Sequence, residues 1–141
     1  YTPEAVQDTC DRLQKAGLKP NVMIDCSHAN SSKQYQRQMD VARDVAAQMA
    51  AGNRCIFGVM VESHIVAGRQ DLMPGKTLVY GQSITDGCID WNTTVTSLEQ
   101  LADAVAARGR RERSPSVTTP SASRIRYTAD DGSVRKVGTK E

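Results

Sequence analysis

Aromatic side chains are scarce: the 141 residues hold one Phe, one Trp and four Tyr, 4% of the chain. Any core must therefore be built from Ala, Val, Leu, Ile and Met. Long apolar runs are lacking too. None approaches the roughly 20 residues of a membrane span, so no membrane partner is expected. The opening Tyr1-Thr2-Pro3-Glu4 lacks the basic-then-apolar pattern of a signal peptide, which points to a cytoplasmic protein. Residue 1 is Tyr rather than Met, as in a processed chain or a piece of a longer one. The four cysteines, Cys10, Cys26, Cys55 and Cys88, have no paired spacing. No Cys-x-x-Cys occurs, which argues against a zinc knuckle or a redox motif. Cys26 and Cys55 fall at apolar strand positions, so reduced, buried thiols are expected. No internal repeat is present.

A strong charge of either sign is also absent, and the net +2 hides an asymmetry. Residues 1–108 carry 10 Lys and Arg against 12 Asp and Glu, a net of −2. Residues 109–141 carry 8 against 4, a net of +4. The basic balance belongs to the end of the chain, and the folded part offers no electrostatic case for nucleic acid.

The chain is organised around Val22-Met23-Ile24-Asp25-Cys26-Ser27-His28-Ala29-Asn30-Ser31-Ser32-Lys33. A short apolar run bounded by turn residues reads as a buried strand. Polar, metal-capable side chains just past it read as a site, because parallel α/β folds bind ligands beyond the carboxyl ends of their strands. Before it, Thr2 as N-cap, Pro3 in the first turn and Gly17 as a left-handed stop predict a helix whose face carries Val6, Cys10 and Leu13. After it, a second helix is predicted from Ser31 or Ser32 to Ala51, with Tyr35, Met39, Ala42, Val45, Ala46 and Met49 inward. Cys55 to Val61 predicts a strand covered on both faces. Residues 63–77 read as a long loop, and Leu78-Val79-Tyr80 as a short strand. A last helix is predicted from Asn92–Thr94 to Arg108-Gly109, with Val95, Leu98, Leu101, Ala102 and Val105 on its apolar face.

This alternation predicts an α/β fold with parallel strands. Three strands and three helices bury only part of what they present, since an open doubly wound sheet needs about five or six strands and a barrel eight. From Arg110 the texture turns to Arg, Ser, Thr and Pro without apolar period, the composition of a disordered segment. Ile125–Tyr127 and Val134–Val137, flanking Asp131-Gly132, are the one hairpin pattern within it.

His28, Glu62 and Asp86 each follow a strand candidate. Parallel neighbours would bring them to one rim, and an imidazole with two carboxylates suits a divalent transition metal. Ion pairs and helix caps are the alternative uses of such residues.

Three segments resemble class I DAHP synthase, the enzyme making 3-deoxy-D-arabino-heptulosonate 7-phosphate. Residues 22–33 resemble its Asp-x-Ser-His-Ala-Asn-Ser-Ser-Lys signature. Gly58-Val59-Met60-Val61-Glu62-Ser63-His64 and Tyr80-Gly81-Gln82-Ser83-Ile84-Thr85-Asp86-Gly87-Cys88-Ile89 are similar to two further segments, in the family's order and spacing. The resemblance covers residues 1–109. It implies the C-terminal third of a (β/α)8 TIM barrel, followed by a tail at 110–141. It also implies one divalent metal ion of the Mn, Fe, Co or Zn class, with His28, Glu62 and Asp86 as ligands beside a Cys that lies earlier in the barrel. The implied substrates are phosphoenolpyruvate and erythrose 4-phosphate. His28 would lie near the phosphoenolpyruvate carboxylate and Asp86 near a sugar hydroxyl, giving both a catalytic and substrate-binding role. Most of the family's phosphate anchors, including its Lys-Pro-Arg-Thr segment, precede these residues, and no Gly-rich cradle replaces them. A dimer or tetramer is implied for the whole enzyme.

Other residues near the motifs read as structural: His64 as a packing or backbone-bonded imidazole, Cys26 as core, Lys33 as solvating the helix start, Trp91 as a packing anchor. A rival reading follows from the same residues. With three of four ligands and few phosphate anchors, the 141 residues form a catalytically incomplete piece, at most metal-binding or subunit-interacting.

Overall fold

The computed structural model describes residues 1–113, 127–128 and 134–135. The order is α1 (Pro3–Lys15), β1 (Val22–Asp25), a single 3-10 turn (Tyr35–Arg37), α2 (Gln38–Ala50), β2 (Ile56–Met60), β3 (Val66–Arg69), β4 (Gln82–Ser83), α3 (Trp91–Arg113), β5 (Tyr127–Thr128) and β6 (Val134–Arg135).

Local chemistry accounts for α1. The Thr2 hydroxyl accepts the Ala5 N–H at 3.4 Å, Pro3 occupies the first turn, and Glu4 faces the positive end of the helix dipole. At the other end Gly17 has φ +70°, and the Leu18 N–H reaches back to the Leu13 carbonyl at 2.9 Å. Strand β1 then runs parallel to β2, pairing Met23 with Gly58, Ile24 with Val59 and Asp25 with Met60. Because the two are parallel, the residues following each leave the sheet at the same edge.

The core lies between this pair and the helices: Val6 and Cys10 from α1, Ile24 and Cys26, Val41, Ala42, Val45, Ala46 and Met49 from α2, Ile56, and Ala104 from α3. The other sheet face stays open. Phe57 is 59% exposed and Met23 54%, so β2 is covered on one face, not both as its apolar run suggests. No helix among the described residues is long and apolar enough to cross a membrane.

Several expectations are corrected. Helix α2 starts at Gln38, not at Ser31 or Ser32. Residues 28–33 instead form a turn, closed by the Lys33 N–H on the His28 carbonyl at 2.7 Å, with positive φ at His28, Ser32 and Lys33. The segment 63–77 contains β3, which pairs in parallel with β4. Leu78-Val79-Tyr80 is not a strand, and Tyr80 is 89% exposed. Helix α3 runs past Gly109 to Arg113, since Gly lowers helix propensity without breaking a helix whose hydrogen bonds continue. Its inward line is Ser97, Leu101 and Ala104, while Leu98 and Val105 are exposed. Trp91, expected to anchor packing, is 59% exposed at the start of α3. Cys55 is not a reduced strand thiol. It precedes β2 and is disulfide-bonded to Cys10 of α1, with a Cα–Cα distance of 6.3 Å across 45 residues of sequence. In the tail, β5 and β6 pair antiparallel, Tyr127 with Arg135 and Thr128 with Val134, within the expected hairpin. The rest of the expected disordered tail beyond Arg113 lies outside the described residues.

Candidate metal centre

Strand β1 delivers His28 and β2 delivers Glu62. Asp86 arrives differently from the expected route. It follows β4, not a strand at 78–80, and precedes residues that bridge to the end of β2: the Ile89 N–H donates to the Glu62 carbonyl at 3.0 Å, and the His64 N–H to the Ile89 carbonyl at 2.9 Å. The three side chains meet. One ligand-capable atom from each of His28, Glu62 and Asp86 lies within 4.8 Å of the others. They line a cavity of about 160 Å³ together with Ser27, Lys33, Tyr35 and Gly87.

Two of the three are held by partners the sequence reading assigned no role. Asp25 Oδ2 pairs with His28 Nδ1 at 2.9 Å, and Oδ1 accepts the Ser27 N–H at 2.8 Å. The Asp25 carbonyl also accepts from Asn30 Nδ2 at 2.7 Å. A carboxylate behind an imidazole fixes both its tautomer and its orientation. The Asp25 hydrogen bond, then its charge, pushes the His28 pKa above its ordinary value, with Glu62 and Asp86 adding to the effect and burial opposing it.

Glu62 is gripped from two sides. The Ser27 hydroxyl donates to Oε2. Gln38, fully buried at the first position of α2, accepts the Glu62 N–H through Oε1 at 2.8 Å and donates through Nε2 to the Glu62 carbonyl at 3.1 Å. Oε1 of Glu62 is left facing His28 Nε2 at 3.7 Å. The signal for Gln38 was a polar residue in line with the Val41, Ala42 and Val45 stripe. The signal for Asp25 and Ser27 was their place in the motif beside His28.

The donor set fits a divalent cation. In the neutral tautomer whose Nδ1–H donates to Asp25, the Nε2 lone pair of His28 faces the Glu62 carboxylate. That arrangement is satisfied by a proton on Nε2 or by a cation between the two groups. One imidazole nitrogen and two carboxylates are groups that could hold a metal ion.

The other residues singled out from the sequence lie elsewhere or act otherwise. His64 Nδ1 accepts the Ile65 N–H at 2.8 Å, a bond within its own loop. Cys26 is fully buried, and burial, with the nearby Asp25 charge, pushes its thiol up to about 11. Lys33 lines the cavity instead of opening a helix.

Comparison with known proteins gives a consistent picture. The profile of the DAHP synthetase I family matches residues 1–99. A phospho-2-dehydro-3-deoxyheptonate aldolase from Haemophilus influenzae is 58% identical over 108 residues, 77% of this chain and 30% of that protein. The Phe-sensitive enzyme of that name from Escherichia coli is 56% identical over 108 residues, 77% and 31% of the two chains. A solved phospho-2-dehydro-3-deoxyheptonate aldolase from Francisella tularensis superposes with a TM-score of 0.72 at 48% identity, covering 76% of this chain and 31% of its own. The chain thus spans about a third of the length of the relatives it matches.

Proposed function

The chain belongs to the DAHP synthetase I family, and from that premise we propose that residues 1–109 form the C-terminal part of a (β/α)8 barrel and carry three ligands of its metal ion. The activity is that of the whole enzyme: condensation of phosphoenolpyruvate with erythrose 4-phosphate to 3-deoxy-D-arabino-heptulosonate 7-phosphate, early in aromatic biosynthesis. The whole enzyme works as a dimer or tetramer, a reading that rests on the family alone. The observation carrying the proposal is the convergence of His28, Glu62 and Asp86 from separate segments to within 4.8 Å.

In the reaction, C3 of phosphoenolpyruvate bonds to the aldehyde carbon, negative charge develops on the aldehyde oxygen, water adds at C2, and phosphate leaves. A bound divalent cation supplies Lewis-acid polarisation of the aldehyde. The chain's own residues arrange the rest. Asp25 keeps the Nδ1 proton on His28 and leaves Nε2 as a donor atom. Ser27 fixes one oxygen of Glu62 and leaves the other turned into the cavity. Asp86 closes the third side and stands near a sugar hydroxyl. His28 would stand near the phosphoenolpyruvate carboxylate.

A second reading is supported by the span of the chain, about a third of its relatives. On its own it is a catalytically incomplete piece that holds a metal without turning over. The two readings are separated by one experiment. Purified chain with both substrates and Mn2+ yields no product, and mixing with the remaining barrel segments restores turnover that His28→Ala abolishes. Turnover by the chain alone refutes the incomplete-piece reading. Restored turnover that survives His28→Ala refutes the metal role of His28.

A further inference from the structure

Asp86 is held differently from its two neighbours in the cavity. His28 has Asp25 behind it, and Glu62 has Ser27 and Gln38. No hydrogen-bond donor among the described residues reaches the Asp86 carboxylate. Its position is therefore set by the backbone around it.

That backbone is seated against one aromatic ring. A Cβ placed on Gly87 would stand 2.8 Å from Tyr35 Cδ1 and 3.4 Å from Tyr35 Cγ, closer than side chains pack. The far end of the same side chain reaches Gly68, where a Cβ would lie 3.6 Å from the Tyr35 hydroxyl oxygen. Gly68 and Cys88 are paired in both directions, Gly68 N–H to the Cys88 carbonyl at 2.8 Å and Cys88 N–H to the Gly68 carbonyl at 3.1 Å. The ring thus spans the residue after Asp86 and the strand to which the next residue is tied. Tyr35 and Gly87 also line the cavity with His28, Glu62 and Asp86.

We propose that Tyr35 is a positioning residue for the metal centre: its ring, seated on Gly87 and Gly68, holds the Asp86 backbone so that the carboxylate stands within reach of His28 and Glu62. The inference rests on the metal-centre reading above and deepens it. At Gly87, the residue next to Asp86, the contact is made by Tyr35 carbon atoms, so removing the hydroxyl leaves it in place. Gly87 has no left-handed φ, so an alanine there suffers only from the ring it meets.

The test uses the full 141-residue chain and Mn2+ alone, with free Mn2+ read by electron paramagnetic resonance and folding followed by circular dichroism. Tyr35→Ala and Gly87→Ala, which disturb the contact from its two sides, each weaken Mn2+ binding by about 10–100-fold, the usual cost of losing an outer-shell partner. Tyr35→Phe binds like the parent chain. On an Asp86→Asn background Tyr35→Ala causes no further loss, because its effect passes through Asp86. If Tyr35→Ala does not fold, Gly87→Ala and Tyr35→Phe carry the test. Parent-level binding by Gly87→Ala and by a folded Tyr35→Ala overturns the role of Tyr35 and leaves the centre standing. Absence of Mn2+ binding by the parent chain overturns both.

Discussion

Replacing Gln38 with Met removes two hydrogen bonds while keeping an unbranched side chain of similar volume in the core. Gln38 is fully buried, and its amide satisfies both the N–H and the carbonyl of Glu62, at 2.8 and 3.1 Å. Leaving a buried polar group unpaired costs about 1–3 kcal/mol, so the two together set an upper range of about 2–6 kcal/mol. Both bonds are only partly buried, which lowers the cost of leaving the two groups unpaired. The expected loss is therefore about 1–3 kcal/mol in all. Against a typical domain stability of about 5–15 kcal/mol this is a large fraction, a drop in Tm on the order of 10 °C. Urea unfolding followed by far-ultraviolet circular dichroism measures it, with an unchanged m value as the sign that only stability moved. Gln36→Met, on an exposed neighbour, is the control. Mn2+ affinity falls alongside, because Glu62 loses its backbone anchor. If Gln38→Met is as stable as Gln36→Met and binds Mn2+ equally well, the bracing of Glu62 from α2 is wrong.

Two further outcomes follow from titrating groups away from the cavity wall or sealed behind it. Asp90 Oδ1 accepts the Thr93 N–H at 2.8 Å at the start of α3, and this backbone bond, then one to the Thr93 hydroxyl, holds its carboxyl below the ordinary 3.8. A lowered folded value means stability present above that ordinary value and lost as pH falls through the folded one. The urea midpoint of Asp90→Asn, which keeps the acceptor and removes the charge, should therefore lie below the parent's at pH 7 and converge with it on acidification; a gap that stays constant refutes the assignment. Cys26, pushed up to about 11 and fully buried, stays unmodified by iodoacetamide at pH 8 in the native chain while the partly exposed Cys88 reacts, as read by mass spectrometry. Equal labelling of the two contradicts the placement of Cys26 in the core.

What the sequence makes legible is what is decided within a few residues. The start and stop of α1 rest on Thr2, Pro3 and Gly17, each acting on its own turn, and the structure follows them. The beginning of α2 is decided elsewhere. Ser31 and Ser32 are good helix starters, yet residues 28–33 are drawn into a turn with three positive φ angles. For α3 the apolar positions predict a face through Val95, Leu98, Leu101, Ala102 and Val105. The structure leaves Leu98, Ala102 and Val105 exposed and turns Ser97, Leu101 and Ala104 inward, because a helix face is chosen by what it packs against. Gln38 lies in line with the buried stripe of α2, but a polar residue there gives no sign of its partner until the Glu62 backbone is placed beside it. The Cys10–Cys55 pair joins residues too far apart in sequence for spacing to reveal. Resemblance identified the three cavity residues, but the route of Asp86 needed the bridge between Ile89 and Glu62.

The stretch 25–28 makes most of the bracing around the cavity local. Within four residues it supplies the His28 imidazole, the Asp25 carboxylate behind it, and the Ser27 hydroxyl on Glu62. Asp25 also braces the Ser27 N–H, so the same carboxylate supports His28 directly and the hydroxyl-bearing partner of Glu62. Here the bracing of His28 is local, and that of Glu62 needs only the step from β1 to β2 and the first residue of α2. Asp86 is the exception, reached through loops and braced by no side-chain hydrogen bond among the described residues. The order of vulnerability follows from this. Perturbing the chain beyond β2 should loosen Asp86 first, while the His28–Glu62 pair persists as long as β1 and β2 stay in register.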